Sequence, residues 1–285
     1  MSQPAPTEPA LSEPGRLVRS ADGTTIAVFE SGLAEPGTRP LLLVHGTTAD
    51  HLTFRVVGPM LGRRRRLHAI DRRGRGASGD TRPYSIEREF EDVAAVAEAA
   101  ARVAGADAVD VVGHSYGGRC ALGASLLTTA IRRVVCYEGA PAPPARPYQG
   151  DDLAARLRAD LDRGDPEAAL EAFMREVVGF DDAAMAGFRA APVWPLRVAA
   201  AHTIPRELDA ERSPAASLEA LGAVAVPVLQ VLGSASVAPF HEATMALDAR
   251  LARGSIVRIE GAAHAAHHTH PEAFVAAVEA FLGSP

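Results

Sequence analysis

The chain has 285 residues, of which 47% are hydrophobic and 22% are charged, an ordinary composition for a globular protein. This length fits one large core, or one core with a small inserted subdomain. The formal net charge of -6 argues against nucleic acid or an anionic membrane as a partner, and no apolar run is long enough to form a membrane-spanning helix.

The first segment, residues 1–15, contains four prolines and no apolar stretch. Because a signal peptide needs such a stretch, the segment is predicted to be a disordered tail, and the default location is cytoplasmic. Cys120 and Cys136 fall within predicted core elements. They are expected to be two buried free thiols that form neither a disulfide nor a metal site.

From Arg16 onward, short apolar runs alternate with alanine-rich helical stretches. The apolar runs predict strands at 16–20, 25–30, 40–45, 67–71, 108–112, 132–137, 226–232 and 255–259. The helical patterns cover 85–103, 116–128, 239–251 and 271–282. Since strands separated by helices pair in parallel, the sequence predicts an α/β fold with a mostly parallel sheet and helices on both faces.

The long interval between Glu138 and Val226 has helical patterns and no convincing strand, and it is too long for a simple loop. It is interpreted as an inserted helical cap at 139–215, which divides a core made of 16–138 and 216–285. Most of the large apolar residues in the cap are expected to form its own core, with one or two facing the active site. An apolar lid favours an acyl or aromatic ester over a peptide or sugar as substrate.

A short glycine-flanked motif, Gly113-His-Ser-Tyr-Gly117, directly follows a predicted strand and opens a helix. Such a turn holds the serine in a strained conformation with its hydroxyl exposed, and the glycines let the two backbones pass closely. A nucleotide-binding turn is the alternative, but the chain lacks both a G-x-G-x-x-G pattern and a phosphate-binding lysine. Ser115 is therefore predicted to be a nucleophile.

The run His45-Gly-Thr-Thr48 ends an earlier strand, where backbone N–H groups can reach the same edge of the sheet. The N–H of Thr47 is predicted to pair with the N–H of Tyr116 and to hold an oxyanion. An ordinary strand-end turn is the alternative reading of this run. Its position upstream of the serine motif favours the oxyanion role.

A general base should follow the last strand, and His264 lies there in Gly261-Ala-Ala-His264. Several histidines crowd this stretch, which makes a zinc site the rival interpretation. No carboxylate or thiolate stands at a familiar ligand spacing, so His264 is predicted to be the base and no metal is expected. The remaining histidines are interpreted as surface or helix-capping residues: His267, His268 and His270.

Taken together, these motifs resemble the α/β-hydrolase superfamily in its cap-bearing form, over essentially all of 16–282. The loop from Asp71 to Gly79, rich in glycine and arginine, is similar to that of a broad set of bacterial hydrolases. The resemblance implies an eight-stranded, mostly parallel sheet and a triad of serine, acid and histidine. It does not fix the substrate.

The acid of that triad departs from the usual pattern. In this superfamily it usually follows the seventh strand, but here the loop from Gly233 to Pro239 has no carboxylate, and the nearest, Glu242, lies in the next helix. Some relatives, among them certain haloalkane dehalogenases, carry the acid after the sixth strand, and Glu138 has that position. A carboxylate there would accept a hydrogen bond from the histidine Nδ1–H and fix its tautomer. A cap-hinge residue that binds backbone N–H groups is the alternative.

The sequence therefore predicts a cofactor-free serine hydrolase that cleaves a small to medium apolar carboxylic ester through an acyl-enzyme, as a monomer or homodimer. Thr48, His51 and Trp194 are predicted to line the substrate pocket. The same site could instead hydrolyse a lactone or thioester, or catalyse perhydrolysis. A non-catalytic ligand-binding protein is a further alternative, disfavoured because the serine, the histidine and the oxyanion turn are all intact.

Overall fold

A computed structural model describes residues 13–145, 147, 148, 150 and 152–283, so most of the predicted tail at 1–15 lies outside the described residues. Eight strands form one sheet in the described chain. They are β1 (Arg16–Arg19), β2 (Thr25–Ser31), β3 (Leu41–Val44), β4 (Leu67–Ile70), β5 (Val109–His114), β6 (Ile131–Tyr137), β7 (Val228–Gly233) and β8 (Gly254–Ile259).

The strands lie in the order β1-β2-β4-β3-β5-β6-β7-β8. β2 runs antiparallel to both of its neighbours, and all other pairs are parallel. This confirms the predicted mostly parallel sheet. Because parallel strands end at the same edge, the loops that follow β3, β5, β6, β7 and β8 gather at the carboxyl edge of the sheet.

Helices cover both faces of the sheet, as predicted. Two apolar cores lie between the sheet and its helices. One packs against the helices at Ile86–Ala104 and Tyr116–Ala124 and those that follow β6, and the other packs against the helices at Gly58–Leu61 and Pro271–Gly283. The α-helices are α1 (Gly58–Leu61), α2 (Ile86–Ala104), α3 (Tyr116–Ala124), α4 (Leu153–Asp162), α5 (Pro166–Phe173), α6 (Asp182–Ala190), α7 (Trp194–Ala199), α8 (Ile204–Ala210), α9 (Leu218–Gly222), α10 (Ala238–Asp248), α11 (Ala266–Thr269) and α12 (Pro271–Gly283). Both cysteines are buried and free. No helix in the described ranges is long and apolar enough to cross a membrane.

The chain between β6 and β7 is helical, from α4 to α9, and holds no strand among its described residues. Ion pairs join these helices to the rest of the fold. Arg72, in the loop after β4, pairs with Glu89 of α2 at 2.8 Å and also with Glu207 of α8. Arg119 of α3 pairs with Glu211, just after α8, at 2.8 Å. Arg72, Glu89, Glu207 and Arg119 are buried and Glu211 is half-buried, so their mutual pairing fixes α8 over the carboxyl edge of the sheet.

Candidate active site

Ser115 lies in a strained turn between β5 and α3. Its backbone angles are φ 55° and ψ -127°, outside the ordinary regions for a non-glycine residue. The turn is compact because glycines stand on both sides: a Cβ on Gly117 would overlap the carbonyl oxygens of Val44 and His45, and a Cβ on Gly113 would overlap the backbone of Gly117. The sequence therefore builds the close strand-to-helix contact that holds the serine at the carboxyl edge of the sheet.

Replacing Gly117 by alanine is expected to lower the free energy of unfolding by about 2–3 kcal/mol, since the new methyl group meets rigid backbone. Urea unfolding measures this change. Gly187→Ala is the matched control, because nothing lies within 4 Å of the added Cβ in α6. The control should instead be more stable by about 0.5–1 kcal/mol. Equal stability of the two variants would contradict the close contact at Gly117.

A buried carboxylate and a histidine meet beside this turn. Glu138 follows β6, and its Oε2 lies 2.6 Å from Nδ1 of His264, which follows β8. The other oxygen, Oε1, accepts hydrogen bonds from the N–H of Gly233 at 2.7 Å and from the hydroxyl of Ser236 at 2.6 Å. Both side chains are enclosed, with exposures of 2% for Glu138 and 8% for His264. A carboxylate held in this way orients the imidazole and fixes the proton on Nδ1.

The loop after β7 thus supplies donors to the carboxylate in place of an acid of its own. Gly233 ends β7 and Ser236 lies in the carboxylate-free loop that follows it. Sequence reasoning missed both residues, although the strand order that places β6 beside β7 makes such a contact natural. Glu138 has φ 46°, a left-handed conformation that a glutamate rarely adopts. Both interpretations of Glu138 from the sequence, histidine partner and acceptor of backbone N–H bonds, describe contacts that it makes.

Two further aromatic rings fix the position of His264. Nε2–H of His114 donates to the carbonyl oxygen of His264 at 2.8 Å, and Phe240 stacks on the His264 ring at 4.3 Å. Burial lowers the pKa of His114 well below its usual value, so that ring stays neutral at physiological pH. Tyr137 stabilises the segment that follows His264, since its hydroxyl accepts a hydrogen bond from the N–H of Ala266 at 2.7 Å.

Two backbone N–H groups near Ser115 are free to bind an anion. The N–H groups of Thr47, after β3, and of Tyr116, the first residue of α3, make no hydrogen bond within the described ranges. Thr48 has φ 59°, which turns the chain sharply at this point. An unpaired N–H at a helix N-terminus carries a partial positive charge. Both groups therefore remain available for the predicted oxyanion role.

These groups border one cavity of about 230 Å³. Ser115, Glu138, His264, Thr47, Thr48 and Tyr116 all line it. The hydroxyl of Ser115 makes no hydrogen bond with a described residue, so the serine–imidazole bond is not formed in this structure. Such bonds are often long in unliganded enzymes and shorten on substrate binding.

Two residues predicted to line the pocket do not border this cavity. His51 donates instead from its backbone N–H and its Nδ1–H to Asp71, at 2.9 and 2.8 Å, and its ring stacks on Phe29. Trp194 packs edge-on against Phe188 with 5.4 Å between ring centroids, so it contributes to the packing of α6 on α7. Phe188 borders the cavity in its place.

The interpretation of the last histidines as surface residues needs a similar correction. His267 is 1% exposed and His268 is half-buried, and both line the cavity. The reason is the short helix α11, which places the His267 ring away from bulk water and the His268 ring only partly in it. His270 does follow the last turn of this helix, as a capping residue would.

Known proteins resemble this chain at several levels. The model of the alpha/beta hydrolase family matches residues 41–277. Pimeloyl-[acyl-carrier protein] methyl ester esterase of Edwardsiella ictaluri is 28% identical over 254 residues, which are 85% of this chain and 92% of that protein. The probable oxidoreductase EphD of Mycobacterium tuberculosis is 33% identical over only 112 residues, so the match spans 38% of this chain and 18% of that relative.

A solved structure of an alpha/beta hydrolase also matches nearly the whole chain. The crystal structure of an alpha/beta hydrolase from Sphaerobacter thermophilus has a TM-score of 0.78 and 31% sequence identity, and the match covers 93% of this chain and 99% of that one. The chain therefore belongs to the alpha/beta hydrolase family.

Proposed function

We propose that this protein hydrolyses carboxylic esters through an acyl-enzyme formed on Ser115. The observation that carries the proposal is the 2.6 Å contact between Glu138 and Nδ1 of His264, at a cavity that Ser115 also borders. A histidine whose Nδ1–H is held by a carboxylate presents an unprotonated Nε2. That nitrogen is the general base that a serine hydroxyl needs.

The reaction then follows from the placement of these groups. His264 takes the proton of Ser115 as the hydroxyl oxygen attacks the ester carbonyl. The negative charge that develops on the carbonyl oxygen is stabilised by the N–H groups of Thr47 and Tyr116. His264 next protonates the leaving alcohol, and a water molecule, activated in the same way, hydrolyses the acyl-enzyme. Glu138 stays ionised and stabilises the imidazolium in both steps.

The walls of the cavity favour a small to medium ester with an apolar part. Large apolar side chains from the helices after β6 line much of it: Phe173, Met174, Phe180, Phe188 and Leu208. The volume of about 230 Å³ accommodates a compact substrate. The relative from Edwardsiella ictaluri is named a methyl ester esterase, which also supports an ester bond as the target.

The same proposal assigns residues 139–215 to a cap over a core of 16–138 and 216–285. The helices in this segment supply side chains to the cavity and are joined to the core by the pairs of Glu207 and Glu211. Substrate would thus bind between cap and core, next to the serine turn.

A fluorophosphonate probe tests the nucleophile directly. The protein should take up one probe per chain, and the Ser115→Ala variant should take up none, as intact-mass spectrometry can measure. Ser125→Ala, at the end of α3, is the control and should label like the parent protein. An unlabelled parent protein, or a labelled Ser115→Ala variant, would refute the proposed role of Ser115.

A further inference from the structure

One corner of the cavity is cationic, although most of its wall is apolar. Arg197 of α7 lines the cavity, and its guanidinium Nη2 donates to the hydroxyl of Thr53 at 3.4 Å. It forms no ion pair within 4 Å with any carboxylate of the described chain. The side chain of Arg197 is half-buried, and a guanidinium that is partly removed from water without a carboxylate partner raises the free energy of the folded protein.

The surroundings of Arg197 do not neutralise it. Asp50, whose charge raises the pKa of Arg197, does not border the cavity and accepts a hydrogen bond from the N–H of Leu52. Burial nevertheless lowers the pKa of Arg197 to about 10, and the exposed Arg55, which also borders the cavity, acts in the same direction. Even so, Arg197 carries its positive charge at neutral pH.

The neighbouring histidines carry no charge and so leave the positive charge of Arg197 unchanged. Burial, together with the charges of Arg55 and Arg197, lowers the pKa of His268 to about 4. Burial also lowers the pKa of His267 well below its usual value, with Arg197 adding to the effect. Both rings are neutral at physiological pH, so this corner carries net positive charge.

Charged groups elsewhere in the cavity are paired, which sets this corner apart. Arg119 pairs with Glu211, and Glu207 pairs with Arg72. Those residues hold the helices after β6 in place and need no ligand. Arg197 lies in the same layer of helices but has no such partner among the described residues.

The cationic corner lies close to the catalytic groups. The ring of His114 lies 4.7 Å from that of His264 and 4.4 Å from that of His267, measured between centroids. Thr53, the neighbour of Arg197, is 3.4 Å from Nε2 of His267. A contiguous line of contacts therefore connects the proposed base to Arg197, and both residues border the same cavity.

We propose that Arg197 binds a carboxylate of the substrate, so that the enzyme acts on esters that also carry a free carboxylate, such as the half-esters of dicarboxylic acids. This inference rests on the proposed ester hydrolysis. Arg197 supplies one positive charge and a planar fork of donors, which match a monoanionic carboxylate. The apolar wall would hold the carbon chain between the two ends.

A matched pair of chromogenic esters tests the inference. 4-Nitrophenyl hydrogen glutarate carries the carboxylate, and 4-nitrophenyl methyl glutarate is its neutral analogue. The parent protein should favour the charged ester in kcat/KM, and Arg197→Gln should reduce the ratio of the two values by at least about tenfold, as expected for the loss of a charge-assisted hydrogen bond. Arg197→Lys should retain part of the preference. Arg63→Gln, at an exposed site that does not border the cavity, is the control and should keep the parent ratio.

A binding measurement separates this inference from the proposed function. Calorimetric titration of the Ser115→Ala variant with monomethyl glutarate should give tighter binding than titration with dimethyl glutarate, and a second Arg197→Gln substitution should remove the difference. Hydrolysis of both chromogenic esters with an equal kcat/KM, unchanged in Arg197→Gln, would overturn the anion site and leave the esterase proposal standing. Failure to hydrolyse either ester, with carboxylate-selective binding retained, would overturn the esterase proposal alone. Equal binding of the two glutarate esters would overturn the anion site.

Discussion

Glu138→Gln is expected to lower the rate of hydrolysis of a carboxylic ester by about 10⁴-fold, the loss in kcat seen when the acid of a serine triad becomes an amide. The amide can keep the size of the side chain but not its charge. The imidazolium that forms on His264 during attack then has no counter-charge 2.6 Å away. An amide nitrogen facing Nδ1 would also favour the wrong tautomer of the ring. Initial rates with a 4-nitrophenyl ester measure the effect.

Glu242→Gln is the matched control for this experiment, because it removes the nearest carboxylate after β7 without touching the proposed triad. It should retain activity within about threefold of the parent protein. Thermal unfolding of both variants reports whether either substitution disturbs the fold. A folded Glu138→Gln variant with nearly parent activity would show that another group orients the histidine.

The strands were the most predictable part of this molecule. A parallel strand that is covered on both faces is mostly apolar, so β3 stands out as a continuous apolar run, and β5, β6 and β7 stand out as mainly apolar runs with one or two polar residues each. Helix ends were less predictable. α3 ends at Ala124 rather than at 128, since the apolar residues that follow it, Leu126 and Leu127, form turns and are exposed.

The candidate site was predictable where its residues terminate strands. Ser115, Glu138 and His264 each follow a strand that ends at the carboxyl edge, so the topology alone brings them together. Their chemical roles stay predictions. The direction of a side chain that does not end a strand depends on tertiary partners that no local pattern shows. For this reason the sequence does not show that the His51 side chain bonds to Asp71 and does not border the cavity.

The cationic corner could not be predicted for the same reason. Thr53, Arg197 and His267 come from three distant parts of the chain, and they meet only when α7 and α11 pack beside the 3-10 helix at His51–Phe54. In the sequence, Arg197 looks like any arginine near the end of a short helix. Only the three-dimensional positions of the neighbouring carboxylates show that Arg197 forms no ion pair among the described residues.

The protein should be less stable at pH 5 than at pH 7 because it buries neutral histidines, and His268 alone should account for about 2 kcal/mol of the loss in the free energy of unfolding. Burial is the main cause that lowers the pKa of His45, His114 and His267 well below the usual value, and that of His268 to about 4. At His45 the neutral form is also required by geometry, since Nε2 accepts a hydrogen bond from the N–H of Arg72 at 2.9 Å.

The sign of this effect follows from proton uptake. The unfolded chain protonates these imidazoles near pH 6.5, whereas the folded protein does not, so the unfolded state binds more protons throughout the interval from 6.5 down to about 4. Stability is therefore highest above pH 6.5 and falls as the solution becomes more acidic, by about 2 kcal/mol at pH 5 for His268, with the other three histidines acting in the same direction. A loss of this size is a measurable fraction of a typical free energy of unfolding of about 5–15 kcal/mol.

Urea unfolding at pH 7 and pH 5 measures the difference in the free energy of unfolding. One substitution shows how much of this difference comes from a single histidine. His268→Gln removes a single titrating ring and should reduce the pH difference by about 2 kcal/mol. His202→Gln, at an exposed site, is the control and should keep the difference of the parent protein. If the parent protein were equally stable at pH 7 and pH 5, these histidines would have to be protonated in the folded state. The neutral state of His114 beside His264 would then need revision, whereas the positive charge of Arg197 would not depend on the outcome.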